Sequence, residues 1–150
     1  MLKILSKTNL GVTFIELIMI VAFVSIIGAT AIPIGSGFLV RNHLRNKTSE
    51  LVSSLRTAQL NSLSGKENSQ WGVNIESNSM VLFKGSSFIG RDQSFDELFT
   101  IPASITITPV EVVFDKVTGN PNTAATITIQ SNANDIRTVA INQVGVVDVN

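Results

Sequence analysis

One apolar stretch near the start of the chain constrains everything that follows. Residues 17–32 read LIMIVAFVSIIGATAI, they are preceded by VTFIE, and Pro33 follows them directly. Residues 12–32 make 21 residues, which as a helix rise about 30 Å and match the hydrocarbon thickness of a bilayer. Ser25 and Thr30 return their hydroxyls to the helix backbone and do not break such a span. The expectation is therefore a transmembrane helix.

What precedes the run is unusual. Residues 1–11 (MLKILSKTNLG) are short and basic and end in glycine. An ordinary secretory signal places its small-residue cleavage site after the apolar core, and no such site follows here. Glu16 is the other anomaly. A carboxylate in an apolar segment costs roughly 3 kcal/mol at the bilayer centre, less at the boundary, and so points to a partner or to a solvated edge.

Composition narrows the function classes. The 150 residues carry 11 basic and 11 acidic side chains, a formal net charge of +0. Removing residues 1–11 takes away Lys3 and Lys7, leaving the remainder slightly acidic, which gives nucleic acid little support as a general partner. The chain has no cysteine, which excludes disulfides, thiolate catalysis and thiolate metal sites.

Beyond Pro33 the spacing of Leu44, Thr48, Leu51, Leu55, Ala58 and Ser62 predicts an amphipathic helix, with Val52 and Leu63 widening its apolar stripe. Gly35, Ser36 and Gly37 weaken the helix locally, and a kink at Pro33 is expected. The alternative is that Pro33 ends one helix and a second begins near Phe38. Arg41, Arg45, Lys47, Glu50 and Arg56 lie mostly off the stripe and read as a solvated face, with lipid headgroups as the alternative contact. His43, the only histidine, reads as a surface residue.

Gly65 marks the helix end, and the pattern then changes to period two. Strands are expected at 71–75, 80–84, 105–107, 110–114, 125–130, 136–142 and 144–149, in an antiparallel meander. Thr118-Gly119-Asn120-Pro121 is a turn, and residues 85–101 read mainly as loop. The fold class expected is α+β: a long N-terminal hydrophobic helix, transmembrane in its first half and amphipathic in its second, packed on an antiparallel β-sheet head.

No catalytic spacing is present. Asp92, Asp96, Glu97, Glu111 and Asp115 read as solvated loop and strand-edge residues, so no catalytic residue and no cofactor is expected. Asp115, Thr118 and Asn120 supply oxygen atoms around a turn, too few for a calcium site, so no metal is assigned.

Gly11-Val12-Thr13-Phe14-Ile15-Glu16-Leu17 resembles the prepilin motif: a glycine, an apolar residue, Thr, two apolar residues, Glu and Leu. Val12 departs from it, since the family usually has Phe there. Pro33 falls 22 residues after Gly11, where many pilins carry a helix-bending proline. LVSSLRTAQLNSLSG, QWGV and RTVAINQVGVVDV are similar to the GspH/FimT branch of minor pilins and pseudopilins.

The resemblance implies four segments: a leader at 1–11, a membrane and filament-core helix at 12–33, an amphipathic helix at 34–64, and a β-rich head at 65–150, together the pilin fold. It implies a structural subunit of a type II secretion pseudopilus or type IV pilus, not an enzyme. Prepilin peptidase would cut after Gly11 and N-methylate Val12, and Glu16 would pair with the terminal amine of a neighbouring subunit during assembly. The implied partners are that peptidase, other pilins, the inner-membrane assembly platform and membrane lipid. The implied location is single-pass in the inner membrane, head outside the cytoplasm, and then in the filament. A DNA-uptake pilin and a non-polymerising membrane-tethered binding module are the alternatives.

Overall fold

A computed structural model describes residues 11–150, except for the side chains of residues 30–38. The chain forms two compact units, Met1–Ser36 and Gly37–Asn150. Its helix, α1, runs Phe14–Leu63. A single 3-10 turn at Lys66–Asn68 follows, then eight strands: β1 (Trp71–Ile75), β2 (Ser79–Lys84), β3 (Asp92–Thr100), β4 (Ile105–Ile107), β5 (Val110–Phe114), β6 (Ala125–Ser131), β7 (Ile136–Ile141) and β8 (Val147–Val149).

In the second unit the stripe seen in the sequence is the buried face of α1. Leu44, Thr48, Leu51, Leu55, Ala58 and Ser62 are all buried, with Leu51 and Leu55 at 0% exposure. Thr48 Oγ1 donates to the Leu44 carbonyl at 2.8 Å, so its hydroxyl costs the core little. At the end of α1 the Ser64 and Gly65 amides donate back to the carbonyls of Leu60 and Ser62 at 2.9 and 3.0 Å. Gly65 has φ 61°, the left-handed conformation glycine adopts without a Cβ clash.

The strands form two antiparallel four-stranded sheets, ordered β3-β2-β1-β5 and β4-β6-β7-β8. The inner faces of both sheets and the α1 stripe share one core, which includes Trp71, Val73 and Phe114 of the first sheet and Ile127, Ile129 and Val139 of the second. Every residue of β1 is buried. Gly72 lies on its outer face, where a Cβ would stand 2.7 Å from Phe83 and 2.8 Å from the Val112 carbonyl. Beside it Val81, Phe83 and Val113 make a smaller cluster covered by Phe88, edge-on to Phe83 at 5.6 Å.

Three expectations are corrected. The head is not one meander: β4 leaves the first sheet for the second, and β5 returns to the first beside β1. Residues 92–100 are a strand, not a loop. The register of β2 with β3 shifts between Leu82 and Lys84, and this bulge breaks the alternation by which a strand is read. The third correction concerns the membrane. Among the described residues no helix is long and apolar enough to cross a bilayer. Helix α1 begins at Phe14, two residues after the expected start, and carries Glu16 in its first turn. The transmembrane half of the expected fold class and the single-pass inner-membrane location are therefore not supported.

Ser62 joins helix to sheet. Its Oγ accepts the Trp71 amide at 2.8 Å inside the core, and its carbonyl accepts the Val117 amide at 3.1 Å. Ser62→Ala leaves the buried Trp71 N–H without a partner and should cost about 1–3 kcal/mol in urea unfolding. Ser53→Ala, on the exposed side of the same helix, should stay within about 0.5 kcal/mol of the parent.

Candidate functional site

Gly11, Val12 and Thr13 precede α1 and have no regular structure. Among the described residues nothing lies within 4 Å of the position a Cβ would take on Gly11, and Val12 is 67% exposed. The Gly11–Val12 bond is thus in exposed, irregular chain, the form a peptidase requires of its substrate.

Thr13 caps the helix. The Glu16 amide donates to Thr13 Oγ1 at 3.4 Å, and the Leu17 amide donates to the Thr13 carbonyl at 3.2 Å. The Thr-x-x-Glu spacing is that of a capping box, with Glu16 in the first turn. A carboxylate there also interacts favourably with the positive end of the helix dipole. Glu16 is exposed, and among the described residues it makes no ion pair. Glu16 thus has a local role in starting the helix and an unengaged charge.

From Phe14 to Ala29 the helix is apolar apart from Glu16 and Ser25. Phe14, Ile15, Leu17, Ile18, Met19, Ile20, Val21, Phe23 and Val24 are all between 47% and 80% exposed. Ser25 Oγ donates to the Val21 carbonyl at 2.7 Å, which satisfies its hydroxyl within the helix. A helix with no polar face is built to be surrounded. Residues 1–10 of the expected leader lie outside the described residues, and α1 runs on past Pro33, so a helix ending at Pro33 with a second beginning near Phe38 is not what is found.

The other sequence candidates are scattered. Asp92 faces Lys84 at 3.4 Å and accepts from both the hydroxyl and the amide of Ser94. The Ser94 hydrogen bonds, and less strongly the Lys84 charge, hold its carboxyl below the usual range. Asp96 pairs with Arg91 at 2.8 Å, Glu111 accepts the Phe88 amide, and Asp115 accepts from Gln70. Glu97 is exposed on β3. Thr118 and Asn120 shape a turn closed by the Gly119 amide on the Asp115 carbonyl at 2.9 Å. Among the described residues no three His, Cys, Asp or Glu side chains gather as metal ligands. His43 is exposed and lies 3.5 Å from the Ser104 hydroxyl.

The structure adds a feature invisible in the linear chain. Arg45 and Arg56 of α1 and Arg137 of β7 line one groove between helix and sheet, with a volume of about 580 Å³. They come together only because β7 folds back beside the helix. The capping role of Thr13 was also missed, although its Thr-x-x-Glu spacing is legible. No family model, curated protein or solved structure matches the chain.

Thr13→Ala removes the cap. It should weaken the first turn by about 1 kcal/mol, seen as roughly fivefold faster hydrogen exchange at the Glu16 amide. Unchanged exchange would show that Thr13 does not start the helix.

Proposed function

We propose that the chain is a minor pilin-like subunit, structural and not catalytic, that is cut after Gly11 and assembled into a filament through its N-terminal helix. The parent filament is a type II secretion pseudopilus or a type IV pilus. The observation that carries this reading is the juxtaposition at the helix start: an exposed, irregular Gly11–Val12 bond directly before a capped helix that presents Glu16.

The chemistry is simple. Hydrolysis after Gly11 frees an amine on Val12, about one helical turn from Glu16. Within one chain these two charges are close neighbours in water and gain little. When apolar helices of several copies pack together, the Glu16 of one copy meets the Val12 amine of another in a medium of lower dielectric. The attraction is then larger, and a mismatched register leaves an unpaired charge buried. Pairing therefore sets the axial register, while the exposed apolar residues from Phe14 to Ile27 supply the association energy.

Two substitutions separate processing from assembly. Gly11→Val meets nothing among the described residues, so its expected effect is on the peptidase. It should abolish cutting, whereas the parent protein should begin at N-methyl-Val12 in mass spectra. A Met1 start in cells with active prepilin peptidase would refute the processing step. Glu16→Gln keeps a side chain that still suits the capping box. Cutting should proceed normally while cross-linking to neighbouring subunits falls. Normal cross-linking of the processed variant would refute the pairing.

A further inference from the structure

We infer that the groove between α1 and the β7–β8 margin is a docking site for an extended acidic peptide segment of a partner protein. This does not depend on the filament reading, since the groove lies wholly within the second unit.

Three arginines, Arg45, Arg56 and Arg137, point the same charge into one groove. Among the described residues none of them forms an ion pair. Asp135 lies in an adjoining cleft that Arg45 and Arg137 also line, and it is engaged by Arg41 at 3.4 Å. Uncompensated guanidinium groups held together repel one another, and an anionic ligand removes that repulsion. Arginine also offers a planar fork that matches a carboxylate in two hydrogen bonds.

The remaining lining selects among anions. Val52, Leu60 and Val149 supply apolar surface, and Ser49, Ser53 and Thr57 supply hydroxyls. Among the described residues no aromatic ring lines the groove, which gives the bases of a nucleic acid strand no stacking platform there. Arg45 and Arg56 stand eleven residues apart on the helix, about 16 Å along its axis. An extended peptide covers that distance in about five residues, which puts acidic side chains on one face within reach of both ends. Its intervening apolar side chains would rest on Val52, Leu60 and Val149. Carboxylates with alternating apolar residues fit this lining better than phosphodiesters do.

The test is fluorescence anisotropy with the full chain and three labelled probes: a short peptide alternating Glu and Val, the same peptide with Gln for Glu, and a single-stranded oligonucleotide. The Glu peptide should bind, more weakly as salt rises, and the Gln peptide should not. The R45Q/R56Q variant alters two exposed side chains and should fold as the parent does, by circular dichroism. It should bind the Glu peptide at least about tenfold more weakly. R45K/R56K, which retains charge but not the fork, should fall between. Equal binding of the Glu and Gln peptides, tighter binding of the oligonucleotide, or undiminished binding by R45Q/R56Q would each overturn the assignment.

Discussion

The head depends on one narrow surface, the buried stripe of α1 from Leu44 to Ser62. Two sheets meet there, and neither continues into the other. The ladders run within each sheet, and the connection from β5 to β6 is held against β5 by the Phe114–Pro121 bridge and the Asn122 amide on the Val113 carbonyl. The inner faces of the sheets are joined through side chains that pack with Leu44, Leu51, Leu55 and Ala58 into one core. Truncating any of these leucines would remove contacts to more than one layer, and the usual penalty of about 2–5 kcal/mol for a buried leucine applies.

Fixing that stripe fixes the rest of the helix surface. With 3.6 residues per turn, burying positions 44, 48, 51, 55 and 58 turns Arg45, Ser49, Ser53 and Arg56 toward the β7–β8 margin. It turns His43, Asn46, Lys47 and Glu50 toward Thr100 and Pro102 on the other flank. The second flank is self-compensated, since Lys47 and Glu50 pair with each other. Among the described residues, the groove on the first flank is lined by three arginines and no acid. The asymmetry of the head thus follows from helical geometry applied to an ordinary amphipathic pattern.

Much of this was legible in the chain, for reasons that also explain what was not. The stripe, the Gly65 stop, β1, β5 and the Gly119 turn announce themselves through spacing and residue type. Alternation reports which face of a strand is buried but not which strand lies beside it, so the division into two sheets was hidden. β3 was hidden because its bulge puts acidic residues where alternation would place apolar ones, and its two phenylalanines, Phe95 and Phe99, are only partly buried. The membrane span was over-read from an apolar run whose count included Val12, Thr13 and Glu16, and helix α1 begins only at Phe14. Arg137 is separated from Arg45 by most of the head, and no local pattern links them. Thr13 and Glu16, by contrast, carry two meanings in the same letters: a helix cap made by Thr13 Oγ1 on the Glu16 amide, visible in the structure, and the cleavage motif that the proposed function requires.

That double meaning is where the account stands or falls. A capping carboxylate acts within its own chain, whereas an assembly carboxylate must meet the amine of another. Zero-length carbodiimide coupling of assembled material, followed by digestion and mass spectrometry, tells these apart when isotopically light and heavy subunits are mixed. The account predicts a mixed-label amide joining the Val12 amine of one copy to Glu16 of another. Coupling found only within single-label peptides, in material that is nevertheless assembled, would contradict it.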